Sequence, residues 1–164
     1  WLLPAGPLRE RTSRLATVDA VILNAGDGSA PQAPIGPLPA ETPCFTMRLQ
    51  GSEFRNLRDP GRRGGPQQFR GRRVHAVAGI GNPQRFFRHL KSMGLEFTAH
   101  AFPDHHAFTA SDLEFTGAEA VLMTEKDAVK CRRFAGESSW ELPVDAATDG
   151  ALADLVLRRL KTRG

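Results

Sequence analysis

A cluster of imidazole and carboxylate side chains follows one of the apolar segments of this sequence. It consists of His100 and the run Asp104-His105-His106. Three imidazoles and a carboxylate are possible zinc ligands, but the chain has no cysteine pair or second histidine cluster to complete such a site, and His75 and His89 are isolated in sequence. We therefore predict no metal site. The expected role is that of an acid, base or phosphate donor, in which Asp104 or a more distant carboxylate orients one histidine. Surface histidines in a loop are the alternative.

A glycine-rich turn, Gly79-Ile80-Gly81-Asn82-Pro83-Gln84, lies between a predicted strand and a predicted helix. It is half of a dinucleotide-binding fingerprint, because Gln84 stands where the third glycine is needed. The start of the helix can still bind an anion through its free N–H groups. A tight turn that only requires small residues explains the segment equally well.

Charged residues open a predicted helix directly after another apolar strand, in the segment Thr124-Glu125-Lys126-Asp127. Thr124 is a suitable N-cap, and acidic residues in a first turn favour the helix dipole. Lys126 and Lys130 share one helical face. Alternatively, the pattern is that of an ordinary surface helix, with a cap at its start and balanced charges, that has no functional role. Cys131, on the same helix, is expected to be packed rather than reactive.

A fourth candidate is an arginine held by a proline-rich loop near the start of the chain. Pro4-Ala5-Gly6-Pro7 precedes Arg9 and Glu10. A rigidly presented guanidinium suits a phosphate, whereas an Arg–Glu surface pair is the alternative.

The elements that must position these residues alternate between strand and helix from residue 72 onward, which predicts an α/β fold with a mostly parallel sheet covered on both faces. The predicted strands are residues 74–78, 95–102, 120–123 and 140–144. The predicted helices begin at Pro83 (ending at Gly94), at 110–112 (capped by Ser111 or Asp112), at Lys126 (ending at 134) and at Ala151 (ending at 160).

The first 70 residues have a different composition. Residues 18–24 predict a buried strand, and residues 27–70 are rich in proline and glycine and predict a connector with one strand at 44–49. The arginine- and glycine-rich stretch 55–73 predicts an exposed loop.

Composition excludes several classes of protein. The 164 residues are 40% hydrophobic and 24% charged, which indicates a globular chain of about one domain or one domain plus part of another. No segment is apolar over the roughly 18 residues of a membrane span, and no secretory signal is present. Two cysteines cannot form a disulfide framework and indicate a reducing compartment. The net charge of +4 comes mainly from arginine, which favours phosphate or carboxylate partners and is not by itself a nucleic-acid signature.

Read together, these segments resemble one family. LLPAGPLRE (residues 2–10), VHAVAGIGNP (74–83), FPDHH (102–106) and MTEKDAVKC (123–131) occur in this order in the tetraacyldisaccharide 4′-kinases, the lipid A 4′-kinases of Gram-negative bacteria, and LPVDA (142–146) matches as well. The resemblance covers essentially the whole chain. One departure is Arg11, where the family normally has proline.

The resemblance implies a P-loop-kinase-like α/β/α fold and three regions. Residues 1–40 would be the C-terminal remnant of the nucleotide-binding domain, 41–70 a linker with a short β segment, and 71–164 a second α/β domain. It also implies transfer of the γ-phosphate of ATP, with Mg²⁺, to the 4′-hydroxyl of a tetraacyl glucosamine disaccharide 1-phosphate. This reaction of lipid A and lipopolysaccharide biosynthesis would occur at the cytoplasmic face of the inner membrane.

The resemblance also implies roles for single residues. His105, with Asp104 beside it, matches the family histidine that pairs with a catalytic aspartate of the other domain. Arg9 and Glu10 match active-site residues near the phosphates and the metal. The segment Thr124-Glu125-Lys126-Asp127 matches a family signature expected to form a wall of the cleft.

The family's membrane anchor, phosphate loop, catalytic aspartate and metal-binding aspartates are not found in these 164 residues, which also begin with Trp1 rather than Met. We therefore expect a C-terminal portion of the kinase that is inactive alone, with ATP and Mg²⁺ bound mainly by residues outside it. The alternative is a non-catalytic, truncated α/β remnant with at most anion binding. A dinucleotide-dependent oxidoreductase is disfavoured, because no acidic residue follows the glycines at the end of a second strand.

Overall fold

A computed structural model describes residue 3 and residues 8–25 and 41–162, and within these ranges the chain forms nine strands and three α-helices. The strands are β1 (Val21–Asn24), β2 (Cys44–Gln50), β3 (Phe54–Asn56), β4 (Arg63–Gly64), β5 (Val74–Ala78), β6 (Thr98–Ala101), β7 (Ala120–Thr124), β8 (Ser139–Leu142) and β9 (Asp145–Thr148). The helices are α1 (Pro83–Ser92), α2 (Glu125–Cys131) and α3 (Gly150–Thr162), with 3₁₀ helices at Thr12–Thr17, Pro66–Phe69 and Ala110–Leu113.

The chain divides into two units. The first comprises Trp1–Leu49 and Ala146–Gly164, and its three-stranded sheet has the order β1-β2-β9. The second comprises Gln50–Asp145 and contains a six-stranded sheet of order β4-β3-β8-β7-β5-β6. These divisions differ from the boundaries expected after residues 40 and 70. The difference arises because β3 and β4 pair into the larger sheet, whereas β9 pairs into the smaller one.

Parallel pairing dominates the six-stranded sheet. β5 pairs in parallel with β6 and β7, and β7 pairs in parallel with β8, while β3 and β4 add antiparallel strands at one side. The predicted α/β class with a mostly parallel sheet is confirmed. Nearly every residue of β5, β7 and β8 is buried, as expected for strands that are covered on both faces.

Alternating side chains of these strands enter two separate cores. Val74, Ala76 and Ala78 of β5 belong to the core that contains Phe86, Phe87 and Leu90 of α1. Val77 of β5 belongs to the opposite core, which contains residues of α2 and of the loop before β7. Because successive strand residues point to opposite faces, each strand packs against both helical layers.

Helix α1 has the limits that the sequence predicts. The Asn82 side chain accepts a hydrogen bond from the Arg85 N–H at 3.2 Å, and Pro83 occupies the first helical position. At the other end Gly94 has φ +75°, and its N–H and that of Leu95 donate to the carbonyls of Lys91 and Leu90. This is a Schellman motif, in which glycine adopts the left-handed conformation without strain.

Three local predictions are wrong. The strand β1 is not buried, since its residues alternate between half-buried and exposed. The stretch 55–73 is not simply an exposed loop: Phe69 packs edge-on against Phe54 and Trp140, which anchors the stretch to the core. The 3₁₀ helix Ala110–Leu113 is capped by Thr109 rather than by Ser111 or Asp112. Residues 27–40 of the predicted connector lie outside the described residues.

Two histidines that are distant in sequence form a stack beside the sheet. Nδ1 of His75 on β5 lies 2.9 Å from Nε2 of His100 on β6, and the Phe115 ring stacks against both imidazoles, with centroids 4.4 and 4.1 Å away. His75 is therefore not isolated, and His100 packs here as a structural residue. Burial, and after it the nearby charge of His75, lowers the pKa of His100 below its ordinary value of 6.5.

We predict that this stack makes stability depend on pH. Because the folded chain binds a proton at His100 less readily than the unfolded chain does, the free energy of unfolding should fall as the pH decreases below about 6.5. The variant His100→Gln should show a shallower fall in urea-unfolding experiments over this range. Parallel curves for the variant and the parent chain would exclude His100 as the cause.

The two cysteines lie in contrasting environments. Cys44 is exposed, whereas Cys131 is fully buried in the core beneath α2. Burial, followed by the charge of Asp127, raises the pKa of the Cys131 thiol to about 12. The expectation that Cys131 is packed in the core is confirmed.

We predict that only one thiol reacts in the native chain. At about pH 8, an aromatic disulfide reagent should label Cys44 rapidly and Cys131 only after unfolding, because the thiolate is the reactive form. The variant Cys44→Ser should lose the rapid phase. Rapid labelling that persists in this variant would contradict the burial of Cys131.

Candidate active site

The carboxyl ends of β5, β6 and β7 lie at one edge of the six-stranded sheet, because these strands are parallel neighbours. Residues 79–81 follow β5, the His105 loop (residues 102–108) follows β6, and α2 follows β7 directly. Ligands of open α/β sheets bind at such an edge. Three of the four segments selected from the sequence are therefore brought to the same edge.

His105 is held in a strained backbone conformation at this edge. Its φ is +61°, in the left-handed region, where a residue other than glycine costs about 1–3 kcal/mol. Asp104 stabilises the turn, since its Oδ1 accepts a hydrogen bond from the His105 N–H at 3.0 Å. The imidazole is 78% exposed, so the turn presents it to solvent.

The side chains of Asp104, His105 and Lys126 form a cluster. Asp104 Oδ2 lies 3.6 Å from His105 Nε2, and Asp104 Oδ1 lies 3.6 Å from Lys126 Nζ. Both distances exceed that of a good hydrogen bond. His105 and Lys126 therefore share the Asp104 carboxylate in loose ion-pair contacts, and the imidazole keeps the capacity to bind another acceptor.

Thr124 and Asp127 pack beneath this cluster. The Thr124 hydroxyl oxygen caps α2 by accepting from the Asp127 N–H at 3.1 Å, as the sequence predicts. The Asp127 carboxylate is fully buried, and it accepts hydrogen bonds from the Gly79 N–H at 3.0 Å, from the Thr124 hydroxyl at 2.7 Å and from Lys130 Nζ at 3.1 Å. Asp127 is thus an interior residue rather than part of a surface wall.

Glu125 faces a different set of partners. Its Oε1 lies 3.5 Å from Arg55 Nη2, and Arg55 also donates to Glu141 on β8, a fully buried carboxylate. Arg132 donates to both oxygens of Glu141 at 3.0 Å. The sequence interpretation missed this network. A signal was available, because Glu141 is the one charged residue in the otherwise apolar predicted strand 140–144.

His106 has a structural environment, in contrast to His105. Its Nε2 lies 3.1 Å from Asp112 Oδ2, and its ring packs against Phe102 and Phe108. The N–H of Thr109, and then its hydroxyl and His106, hold the pKa of the Asp112 carboxyl below its ordinary value against an opposing effect of burial. The carboxylate that orients a histidine by a hydrogen bond is therefore Asp112, acting on His106.

The glycine-rich turn fits closely against the His105 loop. A Cβ atom added to Gly81 would lie 3.4 Å from Asp104 Oδ2, and one added to Gly79 would lie 3.0 Å from a ring carbon of Phe108. The requirement for small residues in this turn is therefore explained by packing.

Arg9 and Glu10 belong to the first unit, and both are exposed. Glu10 pairs with Arg14 rather than with Arg9, at 3.1 Å. An exposed pair of this kind contributes at most about 1 kcal/mol. Residues 4–7 of the predicted proline-rich loop lie outside the described residues.

Two further findings concern the described residues as a whole. Among them, no group of three or more His, Cys, Asp and Glu side chains is arranged to hold a metal ion. No helix in these ranges is long and apolar enough to cross a membrane.

Comparisons with known proteins identify relatives along the whole chain. A family model described as tetraacyldisaccharide-1-P 4′-kinase matches residues 1–161. The tetraacyldisaccharide 4′-kinase of Azoarcus sp. (strain BH72) is 52% identical over 161 residues, which are 98% of this chain and 46% of that protein. The enzyme of the same name from Dechloromonas aromatica (strain RCB) is 46% identical over 164 residues, or 99% of this chain and 47% of that protein.

A solved structure agrees with these matches. The crystal structure of LpxK from Aquifex aeolicus, described as an "apo" form in complex with ATP, superposes with a TM-score of 0.69 at 26% identity, and the match covers 96% of this chain and 47% of that one. The chain thus spans about half the length of the relatives it matches. From the family match and these identities, we conclude that the chain belongs to the tetraacyldisaccharide-1-P 4′-kinase family.

Proposed function

We propose that this chain provides the part of a lipid A 4′-kinase that positions His105 for phosphoryl transfer. The reaction moves the γ-phosphate of ATP to the 4′-hydroxyl of a tetraacyl glucosamine disaccharide 1-phosphate. The observation that carries the proposal is the strained, exposed His105 at the carboxyl edge of a parallel sheet, in a chain that belongs to this family.

Phosphoryl transfer depends mainly on positioning and charge stabilisation. In the proposed mechanism, a family aspartate outside the matched half accepts the proton of the sugar hydroxyl, and His105 binds and orients that aspartate. Asp104 and Lys126 suit this role, because their mutual contact limits the pull of Asp104 on the imidazole.

Arg9 is proposed to contact the phosphates, and Glu10 to lie near them. Arg9 is exposed, and a guanidinium binds phosphate oxygens with two parallel hydrogen bonds. Glu10 contacts Arg14, and this contact would have to rearrange if Glu10 took part in the reaction.

ATP is proposed as the cofactor, supported by the ATP complex of the Aquifex aeolicus relative. The described residues do not fit a Mg²⁺ site, since no suitable group of carboxylates occurs among them, and we derive no step through that ion. The groups that bind ATP and Mg²⁺ are proposed to lie mainly in the half of the family's length that this chain does not match. The cytoplasmic face of the inner membrane is the proposed location, as membership of this family implies.

A chimera tests the activity directly. Residues 1–161 of this chain should replace the matched segment of the Azoarcus sp. relative, and phosphate transfer from radiolabelled ATP to the tetraacyldisaccharide 1-phosphate should be measured. We expect activity in the chimera and none in the 164-residue chain alone. A folded but inactive chimera would instead favour a non-catalytic α/β remnant.

We predict that His105→Ala in the chimera lowers kcat by about 100-fold or more, the usual contribution of a group that assists proton transfer. The KM values should change little. His89→Gln is the matched control, because His89 lies on α1 and its Nε2 contacts the Gly51 carbonyl at 2.8 Å, a contact that glutamine can retain. Unchanged kcat in the His105 variant would remove this residue from the mechanism.

We predict that Arg9→Lys lowers kcat/KM by about tenfold or more, because one ammonium group cannot replace two charge-assisted hydrogen bonds. Arg158→Lys, an exposed change on α3 in the same unit, should leave kcat/KM within about twofold. Equal kcat/KM values for the two variants would show that Arg9 does not bind the phosphates.

A further inference from the structure

We propose that Asp127 is a positioning residue that holds the His105 loop in place through Gly79. The inference deepens the proposed function and rests on the role of His105 described above. It concerns a carboxylate that is fully buried.

The hydrogen bonds of Asp127 extend beyond those needed to begin a helix. Capping of α2 requires only the bond from the Asp127 N–H to Thr124. The carboxylate in addition accepts from the Gly79 N–H, which is 48 residues away in sequence and lies at the end of β5. Burying an ionised carboxylate is costly unless it is fully satisfied, and Lys130 with the Thr124 hydroxyl completes its set of donors.

Gly79 is where the His105 loop rests on the sheet. A Cβ atom at this position would lie 3.0 and 3.1 Å from two ring carbons of Phe108 and 3.3 Å from Cβ of His106. Lys130, which binds Asp127, also lies over the Phe108 ring, with Nζ 5.5 Å from its centroid. Asp127 therefore supports the residues immediately after His105 in two ways. One is through Gly79, and the other is through Lys130, which contacts Phe108.

The residues before His105 are tied to the same turn. The Phe102 N–H donates to the Ala78 carbonyl at 2.8 Å, and Asp104 packs against Gly81. The backbone strain at His105 persists only if its surroundings are fixed on both sides. We infer that release of Gly79 allows this loop to relax and displaces the imidazole.

The experiment uses Asp127→Asn and Gly79→Ala. Asparagine has one acceptor oxygen in place of two, so it cannot serve both Lys130 on one side and the Gly79 N–H with the Thr124 hydroxyl on the other. Alanine leaves the carboxylate intact but pushes a methyl group towards the Phe108 ring. The matched control is Glu141→Gln, because Glu141 is the other fully buried carboxylate with basic partners and lies on β8 rather than at this turn.

Two readouts separate positioning from general destabilisation. In the chimera, kcat should fall by about 10- to 100-fold for both test variants, as expected for a displacement of about 1 Å, with KM changed less than about threefold. The second readout uses the 164-residue chain with isotope-labelled histidine. The NMR signals of the His105 ring should shift in Asp127→Asn and Gly79→Ala and remain unchanged in Glu141→Gln.

Unshifted His105 signals in both test variants would overturn the proposal, as would an equal fall in kcat for Glu141→Gln. If the parent chimera has no activity, the proposed function fails, while the NMR signals of the chain still decide whether Asp127 positions the loop.

Discussion

Parallel pairing of β5 with β6 and β7 is the constraint on which the rest of this molecule depends. Parallel strands require crossover connections, so the segments after all three strands emerge at one edge. The glycine-rich turn, the His105 loop and the start of α2 meet there although at least 16 residues separate each of them from the next in sequence. The same pairing buries both faces of the central strands, which explains the two cores and the need for a helical layer on each side.

Buried charge is the second theme of the structure. Asp127 and Glu141 are both fully buried, and each is neutralised by basic side chains that reach the surface along their apolar stems. In the arginine-rich stretch 55–73, Arg55 meets Glu141 and Arg62 stacks over the Trp140 ring at 5.3 Å. Part of the arginine content of this chain therefore serves its own fold, and net charge alone is a poor guide to its partners.

Much of the fold could be predicted, because many of its strands and helices are marked by patterns of neighbouring residues. Apolar runs marked β5 and β7, and Asn82, Pro83 and Gly94 marked the ends of α1. The antiparallel strands β3 and β4 could not be predicted, because β3 pairs with a strand about 85 residues later and β4 in turn pairs with β3. At the site, residue types identified His105 and Thr124, but the bond between Asp127 and Gly79 and the pairing of His75 with His100 are long-range contacts that no local pattern encodes. The histidine that is oriented by a hydrogen bond to a carboxylate is His106, which contacts Asp112, and not His105, which lies beside Asp104.

The division of the first unit between the two ends of the chain has a consequence for biosynthesis. Residues 50–145 contain the whole six-stranded sheet, so this unit has its complete sequence while the ribosome is still adding the last strand and helix of the other. At ordinary translation rates the remaining residues take about one to four seconds to add. During that interval β1 and β2 are made but the edge of β2 that β9 will occupy is unpaired, and an unpaired edge readily joins other strands. A nascent chain is therefore most exposed to misassembly before β9 is added, when its candidate catalytic loop is already complete.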